Sequence, residues 1–358
     1  MEGLTLRERR TLALVALLYA AVVIPIGIHK GGDIVYEIGQ AERLLQAAPL
    51  YETPPPQGAW WPPFATAFVV PFALLARTSL ALAKGCWAAL GVAGLVVSVL
   101  LARRWGWQAV VLALAAVSLP LQNTFEHLNI NTILLALILA AAVDLSGGRE
   151  ERAGVWVGLA TALKAFPGLL LVYLVYRRAW RGAAVGAALA GGLTYGALLS
   201  YGVTGAAREG WAWFTLSMRA RSFSGQPMQK LARLAFDLDL LRVAGALLVL
   251  ACLALVVIAL RRRPAADDTP YEVGMVTLAA VLIAPIGWLH SFTLAFPAWI
   301  AATTSASTTT CRFWCSKLPC SGFATAATAS TTGRQPPRWA RRVRLQARST
   351  TLVTAHSA

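Results

Sequence analysis

The sequence predicts an all-α, polytopic membrane protein with about eight to ten transmembrane or half-membrane helices and with long outer loops after the first and after later helices. Of the 358 residues, 57% are hydrophobic and only 13% are charged, whereas a soluble domain carries about a quarter charged residues. The apolar runs are rich in Leu, Ala, Val and Gly and lack a period of two. The spanning segments are therefore predicted as helices rather than barrel strands.

The net charge of +16 would also suit a nucleic-acid-binding protein, but the basic residues stand in short clusters between apolar runs. Such clusters orient membrane proteins, because cytoplasmic loops have the excess of Lys and Arg. We therefore expect membrane lipids and no nucleic acid as partners, and a multi-pass location in the cell (plasma) membrane. Arg7, Arg9 and Arg10 precede the first apolar run, which predicts a cytoplasmic N-terminus.

The first helix is predicted over 11–28 and is interpreted as a retained membrane helix, not as a removed signal peptide. The next apolar stretch, 62–76, is short for a crossing and contains prolines, which is typical of an interfacial or re-entrant helix. If it does not cross, helix 80–101 runs inward and Arg103-Arg104 is cytoplasmic. If it does cross, that pair lies outside. We favour the first alternative.

Helices are next predicted at 106–120 and 130–145, around a short outer loop at 121–129. The stretch 154–176 has basic clusters at both ends but is too short for two full crossings. We interpret it as a helical V that is broken near Pro167. The alternative is one kinked crossing, which would invert the topology of everything that follows.

Three more helices are predicted at 182–201, 240–260 and 272–288. A long outer loop, 202–237, follows the first of them and contains Trp211, Trp213 and Phe214. These aromatic residues favour a helix at the membrane interface within that loop. A final apolar run begins near residue 291 and soon ends.

From residue 303 the sequence becomes rich in Thr, Ala, Ser and Arg. We predict a transmembrane domain over 1–302, C-terminally incomplete, and a low-complexity basic tail over 303–358. The tail is either a disordered cytoplasmic segment or the product of a shifted reading frame, and we favour the frameshift. Its three cysteines, Cys311, Cys315 and Cys320, match no common zinc pattern, and no metal site is predicted.

Polar residues at helix ends on the predicted outer face are the candidates for chemistry, because ionisable groups near membrane depth usually serve function. A carboxylate or imidazole can take a proton from a hydroxyl, and cations can hold a phosphate. The candidates are Asp33, Tyr36, Glu126, His127, Asn129, Lys164, Arg219, Arg221, Gln226, Trp288 and His290.

Several candidates have a purely structural alternative. Asp33, which follows a glycine pair that we interpret as a tight turn, could cap the amphipathic helix behind it. Glu126 and His127 could be solvated loop residues, and His290 could be a structural histidine at the interface. The loop arginines could hold lipid headgroups.

Five segments, in this order, resemble glycosyltransferase family 87: GGDIVYEIGQAERLLQAAPLYE, WWPPFATAFVVPFALL, EHLNINTILLALILAA, GLATALKAFPGLLLVYLVYRRAWR and IAPIGWLHSFTLAFPA. The family consists of polyprenyl-phosphate-mannose-dependent mannosyltransferases with a GT-C-type fold. The resemblance implies a catalytic acid at Asp33 and a Trp-x-His element at Trp288 and His290. Many relatives have a second His where this chain has Ser291.

The resemblance also implies a reaction. A mannosyl (hexosyl) residue, or alternatively a pentose such as arabinose, would pass from a polyprenyl-phosphate donor to a glycolipid or glycan acceptor at the outer face, with inversion and without a cofactor. Relatives continue with further helices beyond the Trp-x-His element, which favours the frameshift interpretation of the tail. The alternative functions are a lipid or sugar transporter or flippase, and a structural membrane subunit.

Overall fold

The computed structural model describes residues 5–51, 61–219, 269–283 and 289–304. These residues form helices joined by short turns, with no β-strand among them. The all-α prediction is thus confirmed. Two helices in the described part of the chain are long and apolar enough to cross a membrane, and two bent helix pairs pass the same test when each pair is counted as one span.

The first of the long helices is α1 (Leu6–Lys30), which begins earlier than predicted. A capping box explains the early start. The Thr5 hydroxyl accepts a hydrogen bond from the Glu8 amide at 3.2 Å, and the Glu8 carboxylate accepts one from the Thr5 amide at 2.8 Å. Most of the apolar surface of α1 faces away from the protein, as expected for a helix in contact with lipid.

Two shorter helices, α2 (Asp33–Leu45) and α3 (Pro63–Ala76), pack against each other. The apolar side of α2 is buried in the same core as α3, whereas its polar side contains solvent-exposed residues such as Glu42. α3 has 14 residues, so the prediction of a helix shorter than a full crossing is confirmed. Its course relative to the membrane stays a prediction.

The second long helix is α4 (Leu80–Ala102), close to its predicted bounds. The predicted helix 106–120 is instead two helices, α5 (Trp107–Ala116) and α6 (Ser118–His127), which meet at an angle of 63°.

The predicted outer loop 121–129 is wrong, because most of it belongs to α6. Pro120 lies in the first turn of α6, where its missing N–H breaks no helical hydrogen bond. α7 (Asn131–Ser146) follows almost at once, as predicted.

The predicted helical V is confirmed. α8 (Glu150–Leu163) ends at Lys164, a 3₁₀ turn follows at Phe166–Gly168, and α9 (Leu169–Tyr176) runs back. A small cavity is lined by Ala153 near the start of α8 and by Leu174 near the end of α9. In one continuous helix these two residues would lie about 30 Å apart.

α10 (Trp180–Gly196) packs very closely on α8 through glycines on both helices. A Cβ atom at Gly154 would overlap the backbone of Gly182, and one at Gly158 would lie 2.6 Å from the Gly186 oxygen. The absence of side chains at these positions lets the two backbones touch, as in the small-residue contacts of membrane helices.

After a bend of 44°, the chain continues into α11 (Gly202–Arg219). A helix is therefore present at the start of the predicted loop 202–237, and its Trp211 and Phe214 side chains are exposed. Its location at the membrane interface stays a prediction. The rest of that loop and the predicted helix 240–260 lie outside the described residues.

The last described elements are α12 (Thr269–Ile283), a 3₁₀ segment at Leu289–Ala295 and helical residues 296–304. α12 is anchored at its start, where Glu272 accepts hydrogen bonds from Tyr173 and, at 2.6 Å, from Arg177. Residues 305–358 lie outside the described part, so the predictions for the tail stay predictions.

Charged residues lie in two groups, at opposite ends of α7. At one end Asp144, near the end of α7, pairs with Arg149 at 2.7 Å and Arg152 at 3.5 Å. α7 begins at the other end, where Asn131 meets Lys164 from the tip of the V. Most of the sequence-predicted candidates in the described chain lie at this second end.

Candidate functional site

Asp33 is the first residue of α2, directly after the residue that caps the helix, Gly32. Its side chain makes no capping hydrogen bond, so the interpretation of Asp33 as a helix cap is wrong. Instead Asp33 Oδ2 accepts a hydrogen bond from Asn129 Nδ2 at 2.9 Å, and its Oδ1 lies 3.8 Å from His127 Nδ1. The carboxylate is about one-third exposed and can therefore meet a substrate.

The glycine pair before Asp33 alone joins α1 to α2, as expected for a tight connection, but without the left-handed backbone that favours glycine. Both residues have negative φ angles, −49° at Gly31 and −93° at Gly32, which any residue adopts. Gly31 is required for another reason, since a Cβ atom there would overlap the Leu128 side chain and the Gly27 oxygen. At Gly32 the nearest neighbouring atom to such a Cβ would be 3.9 Å away. Gly31 thus allows Leu128, at the end of α6, to approach the end of α1.

Leu128 itself has a left-handed backbone, with φ of 53°, which is uncommon for a residue other than glycine. It is held by its side chain against α1 and by its carbonyl, which accepts a hydrogen bond from Trp87 Nε1 at 2.8 Å. This fixed bend turns the next residue, Asn129, toward Asp33.

The Asn129 amide joins two charged groups. Its nitrogen donates to Asp33, while its oxygen accepts from Lys164 Nζ at 3.3 Å. Lys164 also donates to Asn131 Oδ1 at 3.0 Å. Lys164 lies here because α8 ends at it, at the tip of the V and beside the start of α7. A carboxylate and an ammonium are therefore held on either side of one amide.

His290 lies beside this group and is almost fully buried. Its backbone carbonyl accepts hydrogen bonds from Asn131 Nδ2 at 2.9 Å and from Thr124 Oγ1 at 3.3 Å. The His290 ring lies 5.9 Å from the His127 ring, centroid to centroid. The structure thus brings a second imidazole to His290 from α6, although Ser291 occupies the neighbouring position where many relatives have a histidine.

Sequence reasoning missed two residues of this site. Asn131, fully buried, connects Lys164 with the His290 backbone. Glu37 lies one helical turn after Asp33 and is 4% exposed. Burial raises the pKa of Glu37 well above its usual range, the neighbouring Asp33 charge raises that pKa further, and Lys164 lowers it. The signal for Glu37 was the spacing of four residues from Asp33, which places both acids on one face of α2.

The other candidates are placed differently. Tyr36 is more than half exposed, and Glu126 pairs with Lys30 at 3.2 Å rather than with Asp33. The backbone of Arg219 belongs to α11, but its side chain is not described. Arg221, Gln226 and Trp288 lie outside the described residues, so their predicted roles stay predictions.

The fold and site define a helical membrane protein with an acid, an ammonium and two imidazoles gathered at one end of its helices. The sequence pattern of glycosyltransferase family 87 matches residues 60–284. The chain belongs to this family, as its resemblance implied. Asn129 and Lys164 fall within the matched residues, whereas Asp33 precedes them and His290 follows them.

One curated relative is the polyprenol-phosphate-mannose-dependent alpha-(1-2)-phosphatidylinositol mannoside mannosyltransferase of Mycobacterium tuberculosis (strain ATCC 25618 / H37Rv). It is 30% identical to this chain over 206 residues, which cover 54% of the chain and 46% of the relative. The chain thus spans about half the length of this relative. No solved structure matches the chain.

Proposed function

We propose that the protein is an inverting glycosyltransferase that moves a mannosyl residue from polyprenyl-phosphate mannose to a glycolipid or glycan acceptor at the outer face of the membrane. Membership of family 87 supports the class of reaction, and the name of the mycobacterial relative supports the donor. The single observation that favours catalysis at this site is the hydrogen-bonded series of Asp33, Asn129 and Lys164.

In the proposed reaction, Asp33 takes the proton from an acceptor hydroxyl as the acceptor oxygen attacks the anomeric carbon. The bond between that carbon and the phosphate oxygen breaks, and the lipid phosphate leaves with the bonding electrons. Phosphate is a good leaving group, so no strong acid is required. Attack from the opposite side converts a β-linked donor into an α-mannoside.

The developing charge on the phosphate needs cations nearby. Lys164 is a partly buried cation that Asn129 links to Asp33 by hydrogen bonds, and Lys30 is an exposed cation on the same side. We propose that the loop arginines Arg219 and Arg221 add to this positive surface. Asn129 keeps Asp33 in place by donating a hydrogen bond to it.

His290 is the rival base, because an imidazole is well matched to neutral pH. Its position supports a different role. It is 3% exposed, whereas the Asp33 carboxylate is about one-third exposed and can reach an incoming hydroxyl. We therefore assign His290 to positioning within the site and Asp33 to proton transfer.

The alternative function, a lipid or sugar flippase, would be expected to place its polar site near the middle of the membrane. Asp33 instead lies directly after α1, a helix long and apolar enough to cross a membrane, and its carboxylate is about one-third exposed. This position favours chemistry at a membrane surface over transport through its centre.

The test is transfer itself. Membranes that contain the protein are incubated with polyprenyl-phosphate [¹⁴C]mannose and a phosphatidylinositol mannoside, and labelled lipid products are separated. We expect a labelled product with one additional mannose that is absent from membranes without the protein. Movement of the donor between leaflets without any labelled product would contradict the proposal and favour the flippase.

A further inference from the structure

At the centre of the site, one N–H donor of Lys164 has no oxygen acceptor among the described residues. The Lys164 ammonium has three N–H bonds, and in the described part of the chain two of them have acceptors, Asn129 Oδ1 and Asn131 Oδ1. Both acceptors are neutral amide oxygens. Lys164 is partly buried, and its Nζ lies 5.5 Å from the centroid of the Phe166 ring, which offers no lone pair. The third N–H can therefore bind an oxygen acceptor that the described residues do not supply.

The same cluster contains a carboxyl oxygen that has no hydrogen-bond donor among the described residues. Glu37 Oε2 is buried and has no hydrogen-bond partner among the described residues. Glu37 is on the same face of α2 as Asp33, one turn deeper into the protein. Asn129 links Asp33 to Lys164 by hydrogen bonds, so Glu37, Asp33 and Lys164 belong to one polar cluster.

A hydroxyl group satisfies both needs at once, because its oxygen accepts from an ammonium while its O–H donates to a carboxyl oxygen. The carboxyl group retains an accepting oxygen whether it is ionised or protonated. A sugar offers several such hydroxyls beside its anomeric carbon, which in the proposed reaction stands next to Asp33. A water molecule has the same chemistry and is the competing occupant.

We propose that Glu37 and Lys164 together bind one hydroxyl group of the transferred sugar and so select a hydroxylated sugar at that position. This inference rests on the proposed glycosyl transfer and assigns Glu37 to substrate specificity rather than to proton transfer. A site that hydrogen-bonds a hydroxyl discriminates strongly against analogues that lack it, because its own buried polar groups are then left unpaired.

The experiment compares mannosyl donors that lack one hydroxyl each, at C2, C3, C4 or C6, in the wild type and in Glu37→Ala and Glu37→Gln. In the wild type we expect one deoxy donor to react about 10- to 100-fold more slowly than mannose, the range for a hydrogen bond to a charged group. In Glu37→Ala the mannosyl donor should lose rate, and the same deoxy donor should then react about as fast as mannose.

The matched control is Glu42→Gln, on the same helix. Glu42 pairs with Arg77 at 3.4 Å, away from the cluster, and is 40% exposed, so this variant should keep the wild-type preference among donors. Thermal unfolding in detergent shows whether the Glu37 variants are folded. The Gln variant retains the size of the side chain, so it provides a second test if the Ala variant does not fold.

The outcomes separate the two proposals. If Glu37→Ala discriminates against every deoxy donor as strongly as the wild type, Glu37 binds water or serves structure, and the inference is wrong although the protein is a transferase. If the wild type transfers no sugar from any donor, the proposed function fails, and this inference fails with it.

Discussion

At the scale of single residues, Asn129 connects the proposed base to the nearest cation, because its amide contacts both Asp33 and Lys164. Asn129→Leu keeps the approximate size of the side chain and removes both hydrogen bonds. We expect transfer to fall about 100-fold, because a displacement of about 1 Å at a reacting group costs that much.

The control for this change is Asn123→Leu in the same helix-end region. Asn123 is half-buried on α6 and belongs to no part of the site. Initial rates at saturating donor, with both variants quantified in the membrane, provide the measurement. Equal rates for Asn129→Leu and Asn123→Leu would show that Asp33 does not depend on Asn129.

Residue types and spacing predicted much of the site in the described chain, since Asp33, His127, Asn129, Lys164 and His290 all meet. The two residues that were missed are not singled out by residue type, and only the spacing of Glu37 from Asp33 gave a local signal. Asn131 begins an apolar helix, where it looks like an ordinary flanking residue, and Glu37 lies in a helix that also contains the solvent-exposed Glu42. Their burial depends on the packing of distant elements, which sequence periodicity alone does not specify.

At the scale of secondary-structure elements, the contact between α8 and α10 makes a sharp prediction. Gly154→Ala would place a Cβ atom against the Gly182 backbone, and such overpacking typically destabilises a protein by about 1–3 kcal/mol. We expect a clear fall in the thermal unfolding midpoint in detergent.

Gly191→Ala on α10 is the matched control, because no atom lies within 4 Å of the Cβ that it would add. Alanine favours a helix over glycine by about 1 kcal/mol, so this midpoint should stay or rise. Equal midpoints for the two variants would mean that the helices are not packed as closely as described.

One secondary-structure element also differs from what the sequence pattern predicted. The polar residues of 121–129 indicated a loop, yet most of this stretch is helix. Polar side chains on α6 such as Thr124 face other protein groups at the site, so polarity alone does not indicate a loop. The V was predictable because a proline and two basic clusters constrain the chain independently of periodicity.

At the scale of the whole molecule, the arrangement of basic residues predicts how the protein lies in the membrane. Arg104, after α4, belongs to the basic end together with Arg149, which we expect to be cytoplasmic. Arg77, at the end of α3, is predicted outside because α3 is too short for a full crossing.

Single cysteines at these two positions test the topology, in a background whose five native cysteines are replaced by serine. A membrane-impermeant maleimide added to intact cells should label Arg77→Cys and spare Arg104→Cys until the membrane is opened. Labelling of Arg104→Cys from outside intact cells would contradict the predicted orientation of every helix that follows.

The measurement that tests the central claim most directly is mannosyl transfer by Asp33→Asn compared with His290→Ala. Asparagine has nearly the shape of aspartate but cannot take a proton at neutral pH. If Asp33 is the base, Asp33→Asn should lose transfer to background while still binding the donor, and His290→Ala should retain measurable transfer. Full transfer by Asp33→Asn together with complete loss in His290→Ala would contradict the account and assign the proton transfer to His290.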